Sequence, residues 1–406
     1  MIQLLDKQKE AFSKHLHNKV GALFMKMGTG KTRVSLELVN IVPNLNLVVW
    51  VAPLRTIRPL EKNYPSVIDE VNKWGGFQSQ SVIFIGIETI QSSDRQYLDL
   101  YNKILQSKKT FLIVDESIKI KNAEAKRTKR LLELSKLVEF KLILNGEPIT
   151  RDLLDIWAQF QFLDPEILNM SHTKFKNTFC KYTTITKRFG SYKQYKKEFI
   201  TGYENIDYLY SLIGEYVYEC DLELNIEQIF EEKRYSLSVE EMKSYSEIKT
   251  TYLDDEKLLA MNNNIFLEMT QKMQHGYCCN EEKVKLAKEW IKNEDKTIIF
   301  CKYISSVELC KKAFPKSLVL NYKTGSLGLN LQNFPYTIYF DQTFDWGDVI
   351  QAQHRNYRIG QENDCRYLRL IGNVGLEFLI NDNNKKKINM SEYLKKISRE
   401  QLRCKL

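Results

Sequence analysis

The sequence predicts an α/β protein with two parallel-sheet lobes joined by a mostly helical, basic and aromatic insertion and linker. Three observations support this prediction. Short branched apolar runs alternate with helical patterns over the first 165 residues, the same alternation returns after Val284, and the segment between lacks it. We therefore expect a first lobe over 1–165, an insertion and linker over 166–282, and a second lobe over 283–406.

The expected strands are short runs of branched apolar residues bounded by turn or polar residues. In the first lobe they are Val20–Met25, Leu45–Val51, Ser81–Ile85, Thr110–Val114 and Lys141–Leu144. In the second lobe they are Lys296–Cys301, Lys316–Leu320, Tyr336–Asp341 and Arg366–Leu370. Helical patterns such as Arg33–Val42 and Glu124–Leu137 lie between strands, which favours parallel sheets covered on both faces.

The composition excludes several classes of protein. With 406 residues, 43% of them hydrophobic and 12% aromatic, the chain is neither a disordered protein nor a small disulfide scaffold. The longest apolar run, Leu45–Leu54, is shorter than the ~18 residues of a membrane span. Eight cysteines without a CxxC pair indicate neither a zinc site nor disulfides. Since Met1–Lys14 also lacks a secretion-signal layout, we expect a cytoplasmic protein without a membrane partner.

Positive charge is concentrated in three places. The segment 171–203 holds eight Lys or Arg residues, one acidic residue and eight aromatic residues. The segment 385–406 holds eight basic and two acidic residues, and a third basic cluster lies within 119–130. Basic residues neutralise phosphates, and flat rings can lie on bases or sugars, so the pattern favours a polyanionic partner such as nucleic acid. A solvated surface remains the alternative for any single cluster.

The first chemical motif follows the first strand and precedes a helix. Its residues are Gly28, Thr29, Gly30, Lys31 and Thr32. Glycines let the backbone curl so that N–H groups point at phosphate oxygens, and the positive end of the next helix adds to this. Lys31 would reach the β- and γ-phosphates, and the Thr32 hydroxyl would bind Mg²⁺. Although Met25 replaces the first glycine of the strict pattern, the motif predicts a nucleoside triphosphate site.

An acidic pair follows the fourth strand. Asp115 and Glu116 stand at its carboxyl end, the edge where parallel sheets bind ligands. Asp115 is suited to hold Mg²⁺ opposite Thr32, and Glu116 is suited to position and polarise an attacking water. Together with Lys31 upstream, the pair predicts hydrolysis of the triphosphate.

A third motif lies in the second lobe. Gln351, Arg355 and Arg358 are spaced at i, i+4 and i+7, which predicts one face of an α-helix. Two guanidinium groups offered from a second lobe are what a transferring phosphoryl group needs from arginine fingers. A basic surface helix is the alternative, and only the first-lobe motifs favour the catalytic interpretation.

In this order the motifs resemble those of the Swi/Snf-type DNA translocases of helicase superfamily two, over nearly the whole chain. The size and the Lys-, Asn- and Ile-rich composition resemble the compact bacteriophage-encoded members. The resemblance implies two RecA-like lobes, ATP and Mg²⁺ as cofactors, and DNA-stimulated ATP hydrolysis that drives movement along double-stranded DNA. It also implies that Gln8 reads adenine and that Gly328 and Gln351 contact the nucleotide.

The same resemblance, with the basic-aromatic segment 171–203 as an additional grip, supplies the expected DNA contacts. They are Pro53, Arg55, Lys121, Asn122, Lys187, Arg188, Lys193, Lys196 and Asn330.

The chain departs from the family pattern in three places. Asn145 and Glu147 flank Gly146 where the family carries Thr-Gly-Thr, and Ile118 replaces a histidine. Only about twenty residues separate the strand ending at Cys301 from the motif Gly325–Leu331, far fewer than the family has. Two alternatives therefore remain open: a strand-separating or fork-remodelling helicase, and a non-hydrolysing DNA-binding or scaffold protein, which Glu147 favours. Protein partners are not predicted.

Overall fold

The computed structural model describes residues 4–58, 66–146, 148–149, 153–189, 193–222, 224–254, 263–322 and 331–385, with the backbone alone for 184–189, 193–199, 253–254 and 263–267. The chain forms two compact units, residues 1–223 and 224–406. Each unit is built on a parallel sheet with flanking helices, so the predicted α/β class with two parallel-sheet lobes is confirmed.

The described residues of the first unit form eight strands. They are β1 (Val20–Met25), β2 (Leu47–Ala52), β3 (Ser81–Gly86), β4 (Thr110–Asp115), β5 (Phe140–Asn145), β6 (Cys180–Phe189), β7 (Lys193–Tyr203) and β8 (Val217–Cys220). Six of them form a parallel sheet in the order β3-β2-β4-β5-β1-β8, while β6 and β7 pair only with each other, as an antiparallel hairpin. The five expected strands are confirmed with small shifts at their ends.

Helices cover both faces of this sheet. They are Asp6–His15, Lys31–Asn40, Leu54–Ile57, Val67–Lys73, Ile87–Ser92, Asp94–Gln106, Lys126–Ser135, Trp157–Leu163, Pro165–Leu168, His172–Phe179 and Ile206–Ile213, with 3-10 turns at Ser117–Ile120 and Leu153–Ile156. Alternate residues of each strand enter different cores: Ala22 and Phe24 pack on one face, and Leu23 and Met25 on the other.

In the second unit, the part of the chain that the structure describes forms five parallel strands. They are β9 (Gln228–Tyr235), β10 (Thr297–Cys301), β11 (Leu318–Asn321), β12 (Tyr336–Tyr339) and β13 (Cys365–Gly372), in the order β11-β10-β12-β13-β9. The helices are Val239–Asp254, Asn263–Gly276, Glu281–Trp290, Ile304–Ala313, Trp346–Gln353 and Gly375–Lys385, with a 3-10 turn at Glu294–Lys296. No helix in the described part of the chain is both long enough and apolar enough to cross a membrane.

The structure divides the expected insertion and linker, 166–282, between the two units. Its first part carries the β6–β7 hairpin and β8, which extends the first sheet next to β1. Its second part carries β9, which pairs with β13 in the second sheet. Both β8 and β9 are edge strands with only scattered buried positions, so the sequence has no buried apolar run to mark them.

Candidate nucleotide-binding site

A curled loop over residues 26–30 joins β1 to the helix Lys31–Asn40. Gly28 and Gly30 adopt φ values of 84° and 87°, the left-handed region that glycine enters without a Cβ penalty. The buried Thr29 side chain lies between them and donates from its hydroxyl to the carbonyl of Lys26 at 2.7 Å. The loop therefore ends at a helix N-terminus, as the motif predicts.

Gln8 ties the first helix to this loop. Its side chain is buried, accepts at Oε1 from the backbone N–H of Leu5 at 3.1 Å, and donates from Nε2 to the carbonyl of Thr29 at 3.0 Å. The structure thus places the residue expected to read adenine directly beside the glycine loop.

The Lys31 side chain turns back into the curl. Its Nζ donates to the carbonyls of Met25 at 2.8 Å and Lys26 at 3.3 Å. Thr32 follows as the second residue of the helix and is partly exposed. The ammonium group therefore lies among oxygen acceptors inside the loop, where phosphate oxygens could replace them.

Asp115 and Glu116 lie at the same edge of the sheet as the loop, because β4, β5 and β1 are adjacent and parallel. Asp115 Oδ1 accepts from the backbone N–H of Glu116 at 2.9 Å. Burial and the neighbouring Glu116 carboxylate raise the pKa of Asp115, and the Lys31 ammonium partly offsets them. The charges of both Lys31 and Glu116 therefore act on the pKa of Asp115.

The donor set at this edge fits Mg²⁺. A carboxylate and a hydroxyl are hard oxygen ligands, and a divalent cation would counter the repulsion between Asp115 and Glu116. Among the residues that the structure describes, no group of three or more His, Cys, Asp or Glu side chains could hold a metal ion. Thr32 and Asp115 would therefore bind the ion together with water and phosphate oxygens.

The arginine motif of the second unit differs from its prediction. Gln351 lies in the helix Trp346–Gln353, but that helix ends before Arg355 and Arg358, so the three do not share one helix face. Beyond the helix end, the buried Asn356 is held by tertiary bonds: its Nδ2 donates to the carbonyl of Phe334 at 3.0 Å and contacts Thr337 Oγ1 at 3.1 Å. The chain around the two arginines therefore follows tertiary contacts and not a continuous helix.

Arg355 is nevertheless held in a defined place. It is buried, and its carbonyl accepts from the backbone N–H of Leu331 at 3.0 Å. Arg358 is partly exposed in the turn that follows.

Gly328 and Asn330, predicted to contact nucleotide and DNA, lie outside the described residues, as does Glu147.

The expected DNA contacts of the first unit fall at several places. Pro53 is buried after β2, and Arg55 is partly exposed in the helix that Pro53 precedes, at the same edge of the sheet as Asp115. Lys121 forms an ion pair with the buried Asp155, at 3.1 Å from Nζ to Oδ2. Asn122 is exposed and caps the turn to Glu124.

Four further expected contacts lie in the hairpin. Lys187 and Arg188 belong to β6, and Lys193 and Lys196 to β7. Lys187 is opposite Tyr195, which with the alternation of strands places Lys187 and Lys193 on one face and Arg188 and Lys196 on the other.

Sequence reasoning missed Gln159. This fully buried glutamine lies in the helix Trp157–Leu163 and bonds to Ser117, directly after the acidic pair. The available signal was a pair of amides, Gln159 and Gln161, among the apolar residues of this helix, since an amide that faces the core must satisfy its hydrogen bonds there.

A family model described as an SNF2-related domain matches residues 8–284, more than half of the chain. The chain belongs to the SNF2-related domain family. This SNF2-related chain is 24% identical over 415 residues to an "Uncharacterized ATP-dependent helicase" of Mycoplasma pneumoniae, covering 89% of the chain and 39% of that protein. It is 23% identical over 463 residues to "Transcription regulatory protein SNF2" of Saccharomyces cerevisiae, covering 93% of the chain and 26% of that protein.

The chain therefore spans about two fifths of the first of these relatives and about a quarter of the second. Among solved structures, the SNF2-related chain is similar to "Sulfolobus solfataricus SWI2/SNF2 ATPase core in complex with dsDNA". The identity is 17%, the TM-score is 0.41, and the match covers 99% of this chain and 96% of that one.

Proposed function

We propose that this chain is a DNA-dependent ATPase that couples hydrolysis to translocation along double-stranded DNA. The observation that carries the proposal is one edge of the first sheet, where the glycine loop, Lys31 and the pair Asp115 and Glu116 all lie. Such a loop suits phosphates, and adjacent carboxylates suit a metal ion and a polarised water. The SNF2-related family and the relatives named as ATP-dependent helicases support coupling to nucleic acid.

In the proposed cycle, Lys31 exchanges the carbonyls of Met25 and Lys26 for β- and γ-phosphate oxygens. Backbone N–H groups of the loop bind the remaining phosphate charge, and Gln8 contacts adenine while its bond to Thr29 keeps it beside the loop. The Glu116 carboxylate accepts a proton from the attacking water and orients the water oxygen towards the γ-phosphorus. A bound Mg²⁺, held by Thr32 and Asp115, would neutralise charge on the phosphate oxygens.

The second unit is proposed to complete the reaction. Arg355 and Arg358 would stabilise the transferring phosphoryl group, and Gln351 and Gly328 would contact the nucleotide. If ATP is held by both lobes, its hydrolysis changes how favourable their closure is. Repeated closure with DNA phosphates bound by each lobe would then move the protein along one strand.

The experiment is the ATPase rate measured without nucleic acid, then with single-stranded DNA, duplex DNA and RNA. We expect the largest stimulation by duplex DNA. Lys31→Ala should abolish turnover, whereas the matched control Lys103→Ala, which removes an exposed ammonium from the same unit, should not change it. Retention of DNA-stimulated turnover by Lys31→Ala would overturn the assignment of the phosphate site, and steady turnover by the wild type would exclude a non-hydrolysing scaffold.

A strand-separating or fork-remodelling helicase is the second candidate, because the Mycoplasma pneumoniae relative is named a helicase. Displacement of a labelled oligonucleotide from a partial duplex would favour it. Displacement of a triplex-forming strand without duplex separation would favour translocation.

We also propose a cytoplasmic location, which the seven free cysteines among the described residues support. The Lys-, Asn- and Ile-rich composition supports a bacteriophage origin, in which case the location is the host cytoplasm.

A further inference from the structure

Gln159 has both ends of its side-chain amide engaged inside the core of the first unit. Its Oε1 accepts from the Ser117 hydroxyl at 2.6 Å, and its Nε2 donates to the carbonyls of Pro148 at 2.9 Å and Asp155 at 2.8 Å. Ser117 and Gln159 are both fully buried. A buried amide with all of these bonds is fixed in one orientation, and losing one bond leaves a polar group unsatisfied.

Ser117, which donates to Gln159, directly follows a residue with a strained backbone, Glu116. Glu116 adopts φ 53° and ψ 52°, the left-handed region that a residue with a Cβ enters at a cost of about 1–2 kcal/mol. Its carbonyl accepts from Lys119 N–H at 2.9 Å, which starts the 3-10 turn. Anchoring Ser117 therefore helps to hold the backbone of Glu116 in a conformation that it would otherwise leave.

Pro148, whose carbonyl accepts from Gln159, lies near the phosphate loop. Gly146, two residues before Pro148, packs so closely on the loop that a β-carbon there would lie 3.3 Å from Met27 Cγ and 3.4 Å from the Met27 backbone nitrogen. Gln159 thus joins a segment that contacts the glycine loop to the residue that follows the acidic pair.

We propose that Gln159 is a positioning residue that acts through Ser117. It keeps Glu116 in a fixed position relative to the phosphate loop. The inference rests on the proposed function, since it assigns Glu116 the task of placing the attacking water. Gln159 touches neither nucleotide nor water in this role. Its loss should therefore slow hydrolysis while leaving the binding of ATP and of DNA intact.

The test compares Gln159→Glu, Ser117→Ala and the control Gln161→Glu. Gln159→Glu is nearly isosteric and can still accept from Ser117, but an ionised carboxylate cannot donate to Pro148 or Asp155 and a protonated one can donate to only one of them. Ser117→Ala removes only the hydrogen bond from the Ser117 hydroxyl to Gln159 Oε1. Gln161→Glu makes the same chemical change at a partly exposed position of the same helix.

We expect kcat for DNA-stimulated hydrolysis to fall at least tenfold in Gln159→Glu and at least threefold in Ser117→Ala. KM for ATP and Kd for DNA should change less than twofold, and Gln161→Glu should match the wild type. A purely structural role would instead lower Tm without this split between kcat and KM. If Gln159→Glu does not fold, Ser117→Ala decides: a fall in kcat alone supports the inference.

The inference is overturned if Ser117→Ala and a folded Gln159→Glu both keep kcat within twofold of wild type. It is also overturned if their KM for ATP rises in proportion to the loss of kcat/KM. That failure is separate from failure of the proposed function, which would appear as a wild-type protein without nucleic-acid-stimulated turnover.

Discussion

The side-chain amide of Gln8 occupies the space that a β-carbon on Gly30 would take, and the same amide donates to the carbonyl of Thr29 at 3.0 Å. Gly30 also has φ 87°. Gly30→Ala should therefore meet both a collision and a backbone penalty of about 1–2 kcal/mol. We expect Kd for ATP to rise more than tenfold, measured by nucleotide titration.

Gly75→Ala is the control for the backbone effect. Gly75 has φ 100°, but a β-carbon there would meet no atom within 4 Å. This variant should lose stability while binding ATP as the wild type does. The double variant Gln8→Ala/Gly30→Ala should remain impaired, because removing the collision does not remove the backbone strain. Equal ATP affinity for Gly30→Ala and Gly75→Ala would contradict the assigned role of the loop.

Glu116→Gln should separate ATP binding from hydrolysis. The amide keeps the shape of the side chain but cannot accept the proton from water, so we expect kcat to fall by about 100-fold or more. Kd for ATP should change less than threefold. The control is Glu139→Gln, which breaks only an exposed ion pair with Lys19 and should leave turnover unchanged. Near-normal turnover by Glu116→Gln would assign the water to another group.

The sequence predicted what local patterns determine. The strand β1 and the glycine loop follow from an apolar run, two glycines and a helix start, whereas the contact of Lys31 with the β- and γ-phosphates stays a prediction. The prediction that Gln351, Arg355 and Arg358 share one helix face was wrong, because the helix ends at Gln353 and Asn356 bonds to Phe334 in the turn that follows. Spacing alone does not report where tertiary contacts replace a helix.

Long-range contacts lie beyond what the sequence order shows. Lys121 pairs in the structure with the buried Asp155, a partner 34 residues away, and its contact with DNA stays a prediction. Gln159 reaches Ser117 over 42 residues. A pattern of side-chain types in sequence order cannot show which distant groups meet in the core.

Removing one partner of the buried pair Lys283 and Asp341 should strongly destabilise the second unit. Nζ lies 2.6 Å from Oδ1, and both side chains are almost fully buried. Although burial alone lowers the pKa of Lys283, the Asp341 carboxylate raises it above the ordinary value. Lys283→Met leaves an unpaired buried carboxylate, so we expect a loss of about 3–5 kcal/mol in urea unfolding.

The double variant Lys283→Met/Asp341→Asn should be less destabilised than the single variant. The amide introduced in place of the Asp341 carboxylate would carry no charge. It could still accept from the backbone N–H of Lys302, as Asp341 Oδ2 does at 2.9 Å. The exposed pair Lys103 and Asp99 serves as the control, where Lys103→Met should cost less than about 1 kcal/mol. If the double variant loses as much free energy of unfolding as Lys283→Met and Asp341→Asn lose together, the two groups do not interact.

The hairpin offers two matched pairs of charges for a DNA-binding test. The register places Lys187 and Lys193 on the face that also carries Phe189 and Tyr195, and Arg188 and Lys196 on the other face. Because aromatic residues can contact bases and sugars, we expect Lys187→Ala/Lys193→Ala to weaken duplex binding more than Arg188→Ala/Lys196→Ala. Both remove two charges, so a general loss of charge cannot explain the difference.

Salt dependence measures the number of phosphate contacts in the hairpin. If Lys187 and Lys193 each neutralise a phosphate, the slope of log K against log salt should decrease in magnitude by roughly 2 in their double variant. Lys285→Ala/Lys288→Ala, on an exposed face of the second unit, removes equal charge and should leave the slope unchanged. An unchanged slope in all three variants would remove the hairpin from the DNA contacts.

His15 should make the stability of the first unit depend on pH. Burial, with a smaller effect of Lys14, lowers the pKa of His15 from 6.5 to about 4. The ring packs on Gly21, where a β-carbon would lie 2.9 Å from Nδ1. The unfolded chain therefore binds a proton at a higher pH than the folded chain does. The contribution of neutral His15 is fully present above pH 6.5 and is lost as pH falls towards 4.

The difference between the pKa values of His15 in the unfolded and folded chains corresponds to a loss of about 3 kcal/mol over that range. Carboxylates titrate in the same range, so the informative quantity is the difference between wild type and His15→Phe, which keeps a ring of similar size and cannot be protonated. The free energy of unfolding should be measured by urea titration at half-unit steps from about pH 7.5 to about pH 4.5. As the pH falls through this range, we expect the free energy of unfolding of His15→Phe to rise steadily relative to that of the wild type. If the two curves of unfolding free energy against pH stay parallel, His15 is protonated equally in the folded and unfolded chains.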